Sequence, residues 1–420
     1  MSIERLLSVL LLVTAACATG SPRRDLSRVE TLSPVPIPAQ AVLEPVDAEP
    51  AEEIGDILAR PLTADDAVRV ALLNNRELRA TLREVIAARG RARQAGTLPN
   101  PAFEFDLREP EDDEPLQKDF FVEFDLTSAL LTRSRGRVAE ADVDAELHRA
   151  AAAALKLAYE VRAAFYAHQA AEQRLALTNR TLDALAASRD AARALFRAGN
   201  LRELDLASQE AAYETARADA ALVELELLDG REELNRMLGL HGSATTWRAA
   251  GPLPAPEQTL APAPDLEARA VASSLELAEL RERMVGLARR VGLTRTEGLW
   301  PDVTVDVHAE QDGDRWEIGG GAKVAVPLFD RRQGDAAAAQ AELAAMQERY
   351  QGAAVEVRSA ARSARQRSES TWRRARHFQE VIVPARERVL AATLLQYNAM
   401  QLGIFALLEE IGRASCRERV

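Results

Sequence analysis

Five histidines and two cysteines are among the residues of this chain that could hold a metal or supply a nucleophile. His148, His168, His241, His308 and His377 are scattered, and no two are spaced to share one helix face as metal ligands do. Gly319, Gly320 and Gly321 lie in a strand-like pattern with no Lys-Ser or Lys-Thr behind them, so they are not a phosphate loop. Arg373, Arg374 and Arg376 read as a solvated helix face. The five methionines form no cluster, which argues against a copper store. No catalytic constellation emerges, and the expectation is a protein that is not an enzyme and has no cofactor or bound metal. What stands out instead is a set of carboxylates, Glu104, Asp106, Glu123, Asp125 and Asp306, each set between apolar neighbours. If they line a pore, such acids favour cations.

The elements that carry them are strands. Phe103, Phe105 and Leu107 alternate with Glu104 and Asp106. After the acidic loop from Glu109 to Lys118, Phe120, Val122, Phe124 and Leu126 alternate with Phe121, Glu123 and Asp125. Val303, Val305 and Val307 alternate with Thr304, Asp306 and His308. Past Asp312 and Gly313, a usual hairpin signal, Trp316, Ile318, Gly320, Ala322, Val324 and Val326 alternate with Glu317, Gly319, Gly321 and Lys323. Period two with apolar and polar faces is the signature of a membrane β-strand, and it also suits a soluble hairpin packed on a helix. On the membrane reading Phe103, Phe105, Phe120, Val122, Phe124, Val303, Val305 and Ile318 face lipid, while Glu104, Asp106, Glu123, Asp125 and Asp306 line the lumen.

Helices flank each hairpin. Thr63 and Asp66 make a capping-box start for a helix running to about Gln94. Arg137 to Ala198 holds neither Gly nor Pro, and these 62 positions would extend about 90 Å as one helix. A break at Gly199 and Asn200 precedes a return helix from about Leu201 to Leu238. The second half repeats the order, with a helix from Asp335 to Val383, then Pro384, then helix to about Met400. Landmarks recur at offsets between 198 and 202 residues: Glu77 and Glu276, Pro99 and Pro301, Gly136 and Gly334, Phe196 and Tyr397. Near-constant offsets indicate an internal duplication. Four strands cannot close a barrel, since the smallest membrane barrels have about eight. Several chains must therefore pool their hairpins if these are membranous.

The ends read as processing signals. Leu6 to Ala16 is an apolar run too short to span a bilayer, expected as a signal peptide over residues 1–16. Val13 to Cys17 resembles a bacterial lipobox, with Thr14 where Leu is preferred, and implies a lipid anchor, palmitate included, at Cys17. The Pro-rich stretch to Arg60 then reads as an extended tether over 17–60. Repeat 1 spans 61–241 with its hairpin at about 102–127, a Pro-rich linker 242–264, and repeat 2 265–410 with its hairpin at about 302–327. The last ten residues, IGRASCRERV, match one reading frame of a sequencing adapter, so 411–420 reads as an artefact, with Cys416 discounted. By the repeat, about forty to sixty further helical residues are expected after Glu410. The net charge of −12, from 65 acidic and 53 basic residues, argues against nucleic acid as a partner.

Three stretches resemble the TolC-like outer membrane efflux family. Pro61–Leu78 (PLTADDAVRVALLNNREL) looks like its opening helix, and Phe196–Asp205 (FRAGNLRELD) and Tyr397–Leu408 (YNAMQLGIFALL) look like its two periplasmic tips. The resemblance covers about Pro61 to Glu410. It implies a mainly α fold with membrane β-hairpins: a homotrimeric twelve-stranded barrel continued by a long α-helical coiled-coil tunnel in the periplasm. It also implies work as the channel of a tripartite efflux system, with an inner-membrane pump and a periplasmic adaptor as partners, anchored in outer-membrane lipid. Gly199, Asn200, Leu201, Asp205, Tyr397, Met400 and Gly403 would form the adaptor-docking tips. Alignment on Tyr397 puts Ala406 and Glu409 where the family closes its aperture with acids, so only Glu409 keeps the carboxylate. Two other readings remain: the outer-membrane component of a type I protein secretion system, and a soluble periplasmic coiled-coil adaptor. The second lacks paired apolar-faced hairpins in both halves.

Overall fold

The computed structural model describes residues 21–44, 52–109, 116–312, 315–403 and 405–407. It forms two compact units. The first gathers the described parts of Met1–Leu43 with Leu78–Ala153 and Ala270–Arg358; the second gathers those of Glu44–Glu77, Ala154–Arg269 and Ser359–Val420.

The elements in chain order are α1 (Pro22–Leu32), α2 (Glu52–Leu58), α3 (Ala64–Asn74), α4 (Arg76–Ala95), β1 (Ala102–Arg108), β2 (Gln117–Asp125), α5 (Leu126–Arg197) and α6 (Glu203–Leu238). There follow α7 (Leu266–Ser273), α8 (Leu275–Leu299), β3 (Asp302–Asp312), β4 (Arg315–Ala325), α9 (Gln333–His377), a π-turn (Phe378–Ile382) and α10 (Val383–Asn398). The order helix, hairpin, long helix thus occurs twice. All four strands form one antiparallel sheet in sequence order.

The first unit holds the sheet. Its helices pack through small residues: a methyl added at Gly286 of α8 would sit 3.3 Å from the Ala141 methyl of α5. The expected boundary at Gly136 is corrected, because α5 runs straight through it. A methyl there would lie 3.4 Å from the Gly96 Cα, so the two glycines mark a close approach, not a helix start. The expected extended tether is corrected as well. Ser21 caps α1 by accepting from the Arg24 N–H, and Pro22 suits its first position. Leu26 and Val29, three apart on one face, are fully buried, and beside them Asp25 meets Arg89.

In the second unit the Thr63 capping box forms as expected. The Asp66 N–H donates to Thr63 Oγ1 at 3.1 Å and the Thr63 N–H to Asp66 Oδ2 at 3.2 Å. The single helix expected to Gln94 is broken at Asn75, whose backbone turns to ψ 120°. The cause is visible: Asn74 Nδ2 donates to the carbonyls of Leu238 and Gly239, and Asn75 Nδ2 to that of Met237. These amides satisfy the open carbonyls at the end of α6. Pro384 does not end the second long helix as expected. It cannot donate to the carbonyl four residues back, and the π-turn just before it absorbs the mismatch.

Candidate functional site

The sheet register decides how the alternating residues combine. Phe103 pairs with Val122, which pairs with Val307, which pairs with Gly320; Phe105 pairs with Phe120, then Ala309, then Ile318. All eight side chains expected to face lipid therefore share one face. That face is open: Phe103 is 76% and Ile318 79% exposed. Phe105 and Phe120 lie 4.5 Å apart, with Trp316 5.8 Å from Phe120, so aromatics gather at the hairpin-loop end. Trp300 and Phe329, both exposed, flank the other end of the second hairpin. Membrane barrels carry aromatic girdles at both interfaces in this way.

The opposite face carries the acids. Glu104, Asp106, Glu123, Asp125 and Asp306 all lie on it, and with them Asp119, Phe121, His308, Glu310, Glu317 and Lys323. Four rows cross it. In one, Asp106, Asp119, Glu310 and Glu317 stand directly opposite one another across all four strands. Like charges so placed destabilise a sheet, by a few tenths of a kcal/mol per pair. Among the described residues only Asp119 of this row has a basic partner, Arg108 Nη2 at 2.7 Å. In the next row His308 stacks on Phe121 at 5.6 Å and holds Asp306 Oδ2 at 3.2 Å. These two side chains lie flat across β4, because a Cβ at Gly319 would strike the His308 ring and one at Gly321 the Asp306 carboxylate. The triple glycine thus clears space on the polar face. Asp119, Glu310 and Glu317 were not among the candidates read from sequence; strand parity next to Phe120, Ala309 and Ile318 was the available signal.

The helix-turn tips belong to the second unit. At the first, Gly199 has φ +74°, its N–H donates to the Phe196 carbonyl, and the Asn200 N–H donates to Leu195. Arg202 and Asp205 pair across the first turn of α6 at 2.9 Å. At the second, Met400 has φ +59°, its N–H donates to Tyr397, and the Gln401 N–H to Gln396. The two hydrogen-bond patterns are the same at an offset of 201 residues, the offset of Phe196 and Tyr397. Repeat 2 thus puts a methionine, 95% exposed, where repeat 1 has glycine. Leu201 and Gly403 lie at these turns, Gly403 exposed, with no described atom within 4 Å of where a Cβ would stand. Cys17, Glu409 and the segment 411–420 lie outside the described residues.

Elsewhere in the second unit, the chain after α6 is fastened by Trp247, which is buried and donates from Nε1 to Asn235 Oδ1 at 2.8 Å. Leu62 and Ala249 form a parallel bridge, and Gln169 donates to the carbonyls of Ala250 and Gly251. Of the expected Pro-rich linker, Glu257 and Ala261 are held to α9 by Trp372 and Arg365. No helix among the described residues is long and apolar enough to cross a membrane, and none of their acidic, His or Cys groups gathers to hold a metal ion.

A sheet with one apolar and one acidic face is joined to helices of 72 and 45 residues, as expected of an outer-membrane channel. Residues 67–240 match the family model described as outer membrane efflux protein. It is similar to the cobalt-zinc-cadmium resistance protein CzcC of Cupriavidus metallidurans, 24% identical over 84% of this chain and 83% of that protein. The fold is similar to that of the outer-membrane channel OprN, with a TM-score of 0.70 and 17% identity over 85% of each chain. It is also similar to the outer membrane protein VceC of Vibrio cholerae, with a TM-score of 0.69 and 15% identity over 85% of this chain and 90% of that one. The fold is that of a TolC-like channel, mainly α with β-hairpins, and the family is one of transport proteins.

Proposed function

We propose that three copies of this chain close a twelve-stranded barrel in the outer membrane and continue it as a helical tunnel, a passive conduit for cations. A periplasmic adaptor docks at the tips and an inner-membrane pump supplies the energy. The observation that carries this reading is the two-faced sheet with open edges at β1 and β4. In lipid each edge needs a partner strand, and three four-stranded sheets joined edge to edge satisfy every one. Strands β3 and β4, 11 residues each, run about 33 Å; at a barrel tilt of about 40° they rise about 25 Å, the height of an outer-membrane apolar band.

The acidic lumen face favours positively charged cargo. The similarity to CzcC supports divalent metal ions such as cobalt, zinc or cadmium as that cargo. We extend the reading to a signal peptide over 1–16, a lipid at Cys17, and docking through Gly199, Asn200, Leu201, Asp205, Tyr397, Met400 and Gly403. The experiment is complementation of a strain lacking the channel, scored for growth in cobalt, zinc and cadmium. Restored tolerance to these ions supports the proposal. Restored tolerance to organic drugs alone overturns the cargo, and no restoration of either overturns the conduit.

A further inference from the structure

The row Asp106, Asp119, Glu310 and Glu317 asks for an explanation beyond a generally acidic wall. It is the one row of the polar face with a carboxylate on every strand. It lies two residues from the hairpin-loop ends of β1 and β3, since β1 ends at Arg108 and β3 at Asp312. Several carboxylates elsewhere in the first unit are matched to arginines. Glu297 takes Arg135 and Arg332, and Glu146 takes Arg149 and Arg283. In the row only Asp119 is matched. It is 4% exposed, with Oδ2 on Arg108, and its Oδ1 is buried with no hydrogen-bond partner among the described residues. A buried carboxylate oxygen without a donor is a costly arrangement, and it lies inside the row between Asp106 and Glu310. Glu310 and Glu317 are exposed on the same face, and they and Asp106 have no basic partner among the described residues.

Two things follow from the chemistry. The row lacks the convergence of a chelating site, so it would not strip a cation of its water. It does concentrate negative charge in one layer next to an orphaned acceptor, which suits a hydrated divalent cation passing in transit. Arg108 sets the strength of that layer, because its guanidinium offsets Asp119 and no other member.

We propose that this row is the charge filter at the loop end of the conduit, that it transiently holds hydrated divalent cations, and that Arg108 tunes it. The proposal rests on the barrel reading. In a trimer, three slanted copies of the row surround the lumen near its outer mouth.

The test is the full chain in planar lipid bilayers under a potassium chloride gradient, with Mg²⁺ as the divalent probe. The native channel is expected to prefer potassium over chloride, and Mg²⁺ added on the loop side to reduce the potassium current. Joint Glu310→Gln and Glu317→Gln substitution, at exposed positions, is expected to lower the preference by about tenfold and abolish the Mg²⁺ effect. Arg108→Gln is expected to act oppositely, raising the preference and strengthening the Mg²⁺ effect, so a general loss of folding cannot imitate the pair of results. If the native channel conducts and neither substitution moves selectivity or Mg²⁺ sensitivity, the filter is overturned and the conduit stands. If the native chain gives no conductance, the barrel reading falls and the filter with it.

Discussion

Arg89 is the residue whose loss should be felt most directly. It lies on α4, nearly buried, between two acids of neighbouring helices. Nε and Nη2 donate to Asp25 of α1 at 2.6 and 2.9 Å, and Nη1 and Nη2 donate to Glu140 of α5 at 2.6 and 2.9 Å. Hydrogen bonds to Asp25, then to Glu140, hold the guanidinium pKa above its ordinary value. Arg89→Met fills the same space without the charge. It strands Asp25, which is 2% exposed, whereas Glu140 is partly solvated and loses little. Breaking one side of a buried ion pair costs about 3–5 kcal/mol. The burial of Leu26 and Val29 holds α1 down with roughly 1.5–3 kcal/mol each, so the two amounts are comparable. The helix should therefore lift off. Hydrogen exchange read by mass spectrometry on the α1 peptide should show protection falling by about two to three orders of magnitude. Asp25→Leu combined with Arg89→Met removes the stranded charge and should restore most of the protection. Protection within about tenfold of native in the single variant, or no recovery in the double, would refute the reasoning.

Four further outcomes are expected. Gly239, with φ +67°, ends α6 against Asn74, and a Cβ would sit 2.8 Å from the Asn74 carbonyl oxygen; Gly239→Ala should cost about 3 kcal/mol, measured by denaturant unfolding. Met400→Gly removes a side chain from a left-handed position and should stabilise the second tip by about 1 kcal/mol, read as slower proteolysis at that turn. Phe105→Arg, on the apolar face, should cost about 2–4 kcal/mol in refolding from denaturant into vesicles, and a cost near zero would place that face in water. His168 is buried against Trp247 at 5.1 Å; Nδ1 has no partner among the described residues, Nε2 lies 3.4 Å from Glu172, and Arg231 is nearby. Burial first, and Arg231 with it, lowers its pKa below 6.5 while Glu172 opposes. The unfolded chain then takes the proton first, so this contribution to stability is present above pH 6.5 and is lost as pH falls through the lowered value. His168→Phe should flatten that acid limb of the melting temperature, with His148, whose pKa burial also lowers, left to supply the remaining slope.

Much of the wall was legible from local pattern, because a strand alternates its side chains whatever its partners are. Phe103, Glu104, Phe105 and Asp106 declare two faces unaided. The charge row was not legible, since it exists only once the strands are aligned, and register is a property of pairs. The tips were legible through the Phe196 and Tyr397 offset, and their shared hydrogen bonds explain why that spacing is kept. Met400 in a left-handed position was not, because composition there gives no glycine to announce the turn. The N-terminal segment misled by its prolines. Ser21 before Pro22, and Leu26 with Val29 behind them, were helix signals, but their value depends on Arg89, 64 residues from Asp25. Gly136 misled in the opposite sense, since a glycine that lets two backbones meet looks in sequence like one that ends a helix.

Among the described residues, α9 is thinly packed. Its 45 residues bury only Ala339 and Ala354 among those described, and Val355 is left 62% exposed. Helical stability in water comes chiefly from an apolar face packed on a partner, not from propensity alone. The ion pairs from Arg365 and Arg373 to Glu369 lie along its own surface, and exposed pairs of this kind contribute at most about 1 kcal/mol each. The apolar face of the sheet has the same deficit, with open edges at β1 and β4. Both deficits belong to surfaces that copies of this chain could cover for one another, the sheet edges in lipid and the long helix outside it. If copies assemble as proposed, insertion and assembly stabilise one another: pairing the edges brings copies of α9 together, and packing those helices holds the edges in place. Conditions that separate the copies should therefore loosen α9 before they disturb the contacts of α1 with α4, which lie within a single chain.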